Sequence, residues 1–392
     1  MTNRAPRRPL ATTRRAAVQG LIALGLSPLA AAQNAGSDST DELLDFSPRS
    51  KPPAGYAPDY AALVRAAEDE GRLAVYSTTD LAVAQPLVDD FQSLYPRIAV
   101  DYEDLTSTEL HHRFVAETQL GRDTADVLWS SAMDLQASLV EQDYALTYAS
   151  PEGAALPAWA RMRDQAWATT FEPIVVAYNR KLVAQPPRTH ADLAALLQRD
   201  AALKGKVVTY DVEKSGLGFL LAAQDARATP AFWDVAQALG RADVRFAATT
   251  SAMLGQIASG RAAIAYNVLG AYALAQARRN PEIGVMFPTD YTLVLSRLQL
   301  IARRARRPNA ARLWVDYTLS RRGQALLARQ GVYAMRADVS GEATAAQLAQ
   351  KLGATLKPIV PGVELARDLQ PAAYREFVER WRGSLGRPLR GR

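Results

Sequence analysis

The chain of 392 residues contains no cysteine and only three histidines, His111, His112 and His190. The first absence excludes a disulfide framework, a thiolate nucleophile and a lipid-modified cysteine anchor. The second leaves little for metal or acid–base chemistry. His111 and His112 are neighbours, and adjacent side chains on a helix diverge by about 100°, so the pair does not converge on one ligand. H-E-x-x-H, G-x-S-x-G and phosphate-loop patterns are missing as well. Ser215-Gly216-Leu217-Gly218 falls short of a dinucleotide fingerprint, because Leu221 stands where the third glycine belongs. These gaps weigh against an enzyme, and no cofactor or metal site is expected. Excess charge is scarce too. The net charge is +6, yet residues 1–32 hold Arg4, Arg7, Arg8, Arg14 and Arg15 with no acid, leaving about +1 for the rest. That is too little for a nucleic-acid footprint. The clusters Arg303-Arg304-Ala305-Arg306-Arg307 and Arg380 to Arg392 do not interleave with aromatics as a stacking platform would.

No apolar run is long enough to span a bilayer comfortably. The longest, Ala16 to Leu29, follows the five arginines, is interrupted by Gln19 and Pro28, and precedes Ala30-Ala31-Ala32. Basic start, short apolar stretch and small-residue site in that order predict a signal peptide over residues 1–32, cleaved near Ala32, and a mature chain beginning near Gln33 in the periplasm. Thr13-Arg14-Arg15 leaves the twin-arginine and ordinary secretory routes both open. Residues 33–58, rich in Ser, Asp, Pro and Gly, are expected to form a flexible lead-in.

From residue 59 onward helical and strand patterns alternate, which predicts an α/β fold with mostly parallel sheets. Strands are expected at Leu73–Tyr76, Ile98–Tyr102, Val127–Trp129, Ile174–Tyr178, Lys206–Tyr210, Ala263–Tyr266, Ile283–Phe287 and Leu293–Ile301. Helices are expected between them, among them one burying Leu87, Val88, Phe91 and Leu94 and stopped by Pro96. Asp89-Asp90 falls on the solvated face of that helix, and Asn309 to Gln330 makes two helices broken near Ser320.

Ligands of open α/β sheets sit beyond the carboxyl ends of strands. The loops there are Ser77-Thr78-Thr79-Asp80, Thr106-Ser107-Thr108-Glu109 with the spacing of a capping box, Ser130-Ser131, and Asp211 to Gly218 with Ser215 and Gly216. Each is hydroxyl-rich and opens a helix. Free backbone N–H groups and short hydroxyl donors at a helix start hold phosphate or carboxylate without a formal counter-charge. The same residues are also the ordinary N-caps, and the pattern alone leaves both roles open.

Leu73-Ala74-Val75-Tyr76-Ser77, Phe91-Gln92-Ser93-Leu94-Tyr95-Pro96 and Ala125-Asp126-Val127-Leu128-Trp129 resemble bacterial extracellular solute-binding proteins of ABC transporters. The likeness is to the ferric-iron-binding type, which also takes in binders of phosphonates and sugar phosphates. Ile174-Val175-Val176-Ala177-Tyr178-Asn179, Ser215-Gly216 and Arg321-Arg322-Gly323-Gln324-Ala325-Leu326-Leu327 extend the likeness over roughly Leu73 to Gly331. It implies the type II periplasmic-binding-protein fold, two lobes each with a mostly parallel sheet flanked by helices and a ligand cleft between them. Lobe one is expected at 59–168 plus 288–330 and lobe two at 169–287 plus 331–392.

The resemblance further implies a monomer that closes on its ligand about a hinge and hands it to an inner-membrane ABC permease. A periplasmic sensor for a histidine kinase is the alternative role. Ferric members hold the metal with a histidine, a glutamate and adjacent tyrosines. The matching places here hold Asp80, Ser131 and the stretch Tyr266-Asn267 to Tyr272, a poor set for Fe³⁺, although the resemblance leaves open a ferric protein with a non-standard site. The expected ligand is a small anion, a phosphate ester, phosphonate or similar, held by Ser77, Thr78, Thr79, Thr106, Ser107, Ser130, Ser131, Ser215, Gly216, Tyr266, Asn267 and Tyr272.

Overall fold

The structure, a computed structural model, describes residues 47–49, 52, 53 and 55–386. The expected signal peptide and most of the lead-in lie outside the described residues. Two mixed sheets organise the described chain. The first runs in the order Ala99–Asp104, Arg72–Ser77, Val127–Ser130, Leu298–Ile301, Ala166–Ala168, Arg161–Met162, and its first three strands are parallel. The second runs Leu356–Pro358, Thr292–Leu295, Glu172–Asn179, Ile264–Leu269, Val207–Tyr210, Arg245–Ala247, with Ile283–Met286 also paired to Glu172–Asn179. Each sheet thus keeps a parallel part fed by strand–helix units and gains antiparallel strands where the chain crosses between sheets. A crossing strand arrives from the opposite direction, so it pairs antiparallel with the strand it meets.

Local sequence explains the elements. Val127–Ser130 and Glu172–Asn179 are buried along their whole length, as apolar runs in a sheet covered on both faces must be. The helix Leu81–Leu94 buries Leu87, Val88, Phe91 and Leu94, and Phe91 meets Trp314 edge-on at 5.1 Å between ring centroids. Asp90 on the same helix corrects the expectation of a solvated face. It is 2 % exposed, takes two hydrogen bonds from the Arg322 guanidinium (2.8 and 2.6 Å) and one from the Tyr317 hydroxyl, and so pins the late helix Arg321–Arg329 to lobe one.

Leu293–Ile301, expected as one strand, is two. Thr292–Leu295 belongs to the second sheet and Leu298–Ile301 to the first, with Ser296 and Arg297 between them. The chain therefore passes from the second sheet to the first at Ser296-Arg297. The other crossing is Thr169–Phe171, and a third passes beside it, where Phe171 N donates to Tyr333 O and Thr170 bridges Ala334. At this junction the Arg297 guanidinium and the Glu172 carboxylate form a fully buried pair (2.7 and 3.2 Å). Arg297 N donates to Thr170 Oγ1, and Trp129 Nε1 donates to Thr169 Oγ1. The C-terminal helix Pro371–Ser384 completes lobe two by stacking Trp381 on Phe232.

Candidate functional site

The carboxyl ends of the parallel strands of both sheets face each other across a cavity of about 270 Å³. From lobe one it is lined by Thr78, Asp80, Asp104, Leu105, Thr106, Ser107, Glu109 and Ser131. Lobe two contributes Tyr210, Ser215, Leu217, Ala248 to Ser251, Leu269 and Tyr272. Of the sequence-expected residues, Thr78, Thr106, Ser107, Ser131, Ser215 and Tyr272 are therefore brought together. Ser77, Thr79 and Ser130 lie just beneath. Ser77 Oγ accepts from Thr79 N, Ser130 Oγ accepts from Ala132 N, and Thr79 Oγ1 accepts from Arg297. Gly216 serves close approach, since a Cβ there would come within 2.5 Å of Leu135 Cδ1.

Tyr266 and Asn267 do not face the cavity. One residue of Glu172–Asn179, Val176, opposes two of Ile264–Leu269, Tyr266 and Asn267, and at that bulge Asn267 adopts φ 60°. The kink turns both side chains into lobe two. There Tyr266 Oη (2.7 Å), Asn267 Nδ2 (2.8 Å) and Tyr291 Oη (2.9 Å) all donate to the buried carboxylate of Asp225. Burial and the neighbouring Asp225 push the Tyr266 hydroxyl well above its ordinary pKa, away from the tyrosinate that a ferric ion requires. His190, stacked on Tyr291 at 4.2 Å and bonded to Asp290, is part of the same packing. Among the described residues no group of three or more histidines, aspartates or glutamates converges as a metal site.

The hydroxyls of the cavity carry a consistent pattern. Ser107 Oγ accepts from Leu217 N, Ser215 Oγ from Gly218 N, Thr106 Oγ1 from Glu109 N and Thr249 Oγ1 from Ala252 N. Thr106, Ser215 and Thr249 are N-caps, and Ser107 meets the first turn of the helix Gly216–Ala228 from the other lobe; each uses a lone pair to accept, so its own hydrogen stays uncommitted. Thr78 Oγ1 accepts from Ser131 N (3.0 Å) and shares one bond with Ser131 Oγ (3.2 Å), leaving the pair one spare hydrogen. Tyr210 and Thr250 share one bond of 2.6 Å while Thr250 Oγ1 also accepts from Leu269 N, again leaving one spare. Ser107, Ser131, Tyr210, Ser215 and Thr250 are all between 2 % and 7 % exposed, so these hydrogens have little water to turn to. Capping and ligand binding are thus compatible: the cap fixes the oxygen and leaves the hydrogen.

Sequence reasoning missed Asp80 as an anchor between lobes, Asp104, Glu109, Tyr210 and Thr249 to Ser251. The last group follows Arg245–Ala247, a strand too short to show a period, although the strand-end rule would have found it. Glu109 carries only half of its expected capping box, for Thr106 caps Glu109 N but the Glu109 carboxylate lines the cavity instead of turning back. Asp104 accepts from Leu81 N, and partial burial, then the charge of Asp80, raise its pKa. The lobes also touch directly. Thr108 Oγ1 donates to Lys214 O and accepts from Gly216 N, Ser251 Oγ donates to Asp80, and Asp80 N donates to Tyr272 Oη.

A larger hollow of about 730 Å³ lies at the amino ends of the lobe-one strands, lined by that lobe alone, with Arg122, Arg303, Arg304 and Arg306 among its residues. It shares nothing with the two-lobed cleft.

The family described as bacterial extracellular solute-binding protein matches residues 77–325. The crystal structure of the substrate-binding protein of an ABC transporter from Agrobacterium tumefaciens is 38 % identical, covering 80 % of this chain and 94 % of that one at a TM-score of 0.77. AfuA from Actinobacillus pleuropneumoniae, solved with exogenous fructose-6-phosphate bound, is 18 % identical over 81 % of this chain and 99 % of its own (TM-score 0.67). The apo ferric ion-binding protein A of Pasteurella haemolytica is 17 % identical over 82 % of this chain and 100 % of its own (TM-score 0.64). The last two show the shared fold, two α/β lobes of type II. No curated protein sequence matches the chain.

Proposed function

Because the chain belongs to the bacterial extracellular solute-binding proteins, the substrate-binding components of ABC transporters, we propose that it takes a small anion, a phosphate ester, phosphonate or similar, into the interlobe cavity and delivers it to an inner-membrane permease. It is a binding protein rather than an enzyme. The family works outside the cytoplasmic membrane, and we read this chain as a monomer exported to the periplasm.

One observation carries the choice of ligand. The buried hydroxyls of the cavity accept from backbone N–H groups and keep their hydrogens for whatever enters, so a partner rich in acceptors completes them. Beneath the Thr78–Thr79 loop, Arg297 Nη1 donates to Thr78 O and Thr79 Oγ1, which holds that wall in place. The volume, about 270 Å³, lies just below the range usual for ligand pockets, about 300 to 1,000 Å³, and suits a compact molecule. Contacts from both lobes make closure depend on the ligand, since only a molecule that touches both favours the closed arrangement.

The test is a thermal-shift screen of the purified protein against phosphate esters, phosphonates, carboxylates and Fe³⁺. A ligand at a hundred times its Kd adds about 2.7 kcal/mol of stability. A rise with phosphate esters or phosphonates supports the reading. A rise with Fe³⁺ alone, accompanied by a tyrosinate absorption band, overturns it.

A further inference from the structure

The cavity is not uniformly built for an anion. Three carboxylates line it, Asp80, Asp104 and Glu109, and no lysine or arginine does. Arg297, the cation behind the wall, is held in a fully buried bidentate pair with Glu172, so its charge is already matched. Asp80 is engaged by Ser251 and Asp104 by Leu81 N, each through one oxygen. A purely anionic ligand would meet spare hydroxyl donors on one side and net negative charge on the other.

We infer that the ligand is zwitterionic: an anionic group met by the hydroxyl hydrogens of Thr78–Ser131, Ser107 and Ser215, and an ammonium group met by Asp104, Glu109 and the outer oxygen of Asp80. Two independent features of the cavity call for this pairing. Four donor hydrogens, one each on Ser107 and Ser215 and one each from the Thr78–Ser131 and Tyr210–Thr250 pairs, have no bonded acceptor, and three carboxylates retain acceptor oxygens with no cation in the wall. An ammonium answers the second set better than a metal ion does. A metal requires ligands converging on one point, and the acidic groups do not converge so. An ammonium has three N–H donors that reach separate acceptors.

The inference rests on reading the interlobe cavity as the ligand site, and it narrows the ligand from any small anion to a short ω-amino phosphate or ω-amino carboxylate. The experiment pairs isosteric probes in which a methyl replaces the ammonium. Calorimetry compares O-phosphoethanolamine with propyl phosphate, and β-alanine with butyrate. A charge-assisted hydrogen bond corresponds to about 10- to 150-fold in affinity, so within at least one pair the amine-bearing member should bind tighter by about that factor. In Asp104→Asn/Glu109→Gln, at the exposed mouth of the cleft, the ratio should collapse toward unity, the amine probe weakening and its partner tightening. Unchanged melting behaviour of the free variant confirms its fold.

Equal affinities within both pairs, or a ratio that survives in the double variant, overturn the zwitterion while leaving the anion reading in place. Binding of the amino carboxylate with no binding of either phosphate overturns the phosphate reading and supports the zwitterion. Failure of all four probes overturns both.

Discussion

The interlobe cavity and the interior of lobe two are built from the same side chains, tyrosine and short polar groups beside carboxylates, with opposite outcomes. Around Asp225 every donor has an acceptor: Tyr266, Asn267 and Tyr291 all point at one carboxylate. Around the cavity the hydroxyl oxygens are occupied by backbone N–H groups and the hydrogens are left over. A closed network of this kind holds a fold, and an open one waits for a partner. Residue type does not separate the two; the direction in which each hydrogen points does.

Substitutions should therefore act on one region without the other. The largest effect is expected at Asp225→Ala, which deprives three buried donors of a charged acceptor. Charge-assisted bonds contribute about 1.5–3 kcal/mol each, so a loss on the order of 5 kcal/mol is expected in denaturant unfolding, with ligand affinity of the folded fraction unaltered. An affinity loss without a stability loss would place Asp225 in the binding site and erase the contrast.

Asp134 is a third case, a buried carboxylate whose Oδ2 has no partner. Burial, with a smaller contribution from Asp368, raises its pKa to about 7. Folded protein thus holds a proton there that unfolded chain, with an ordinary aspartate pKa near 3.9, has already lost. The contribution of this group is full below about pH 4, declines as pH rises to about 7, and is then constant, by ~4 kcal/mol at most. Melting temperature should fall across that window, and Asp134→Asn should flatten the slope. A slope that persists in the variant assigns the dependence to other groups.

The smallest effect is expected from Ser131→Ala. It removes a donor hydrogen from the cavity but no backbone cap, so affinity for a bound oxyanion should drop about 10- to 150-fold, or 1.5–3 kcal/mol. Melting temperature of the free protein should hardly move. A lowered melting point with intact affinity would make Ser131 a structural residue like Tyr266.

Sequence periodicity located most strands and helices because each buries an apolar face whose spacing survives in one dimension. Leu293–Ile301 misled because a crossing strand is apolar on both sides of the crossing, and nothing in Ser296-Arg297 marks a change of sheet. Tyr266 and Asn267 misled for a different reason. Their place in the chain fits a cleft, but the bulge beside Val175 and Ala177 reverses where they point, and a positive φ at an asparagine has no signature in composition. The hydroxyl loops were legible from strand ends alone. Their donor orientation was not, because it depends on which backbone N–H groups each oxygen meets, some of them from the other lobe. The acidic mouth of the cavity lay within or beside those same loops, where carboxylates pass for ordinary first-turn residues.

Arg297 sits where the crossings meet and also touches the floor of the cleft, through Thr78 O and Thr79 Oγ1. On the proposed hinge closure, pivot and binding surface would therefore share one side chain. A rotation that parts the lobes about this point displaces the rim most and the floor beneath Thr78 least, as the inner edge of a closing book travels less than its cover. Molecules entering the open form would then meet the Thr78–Ser131 wall already in its final shape, while Ser215, Tyr210 and Thr250 arrive afterwards from lobe two. On the proposed reading of the cleft, capture would be ordered in time: recognition by a preformed shelf first, and enclosure by the moving lobe second.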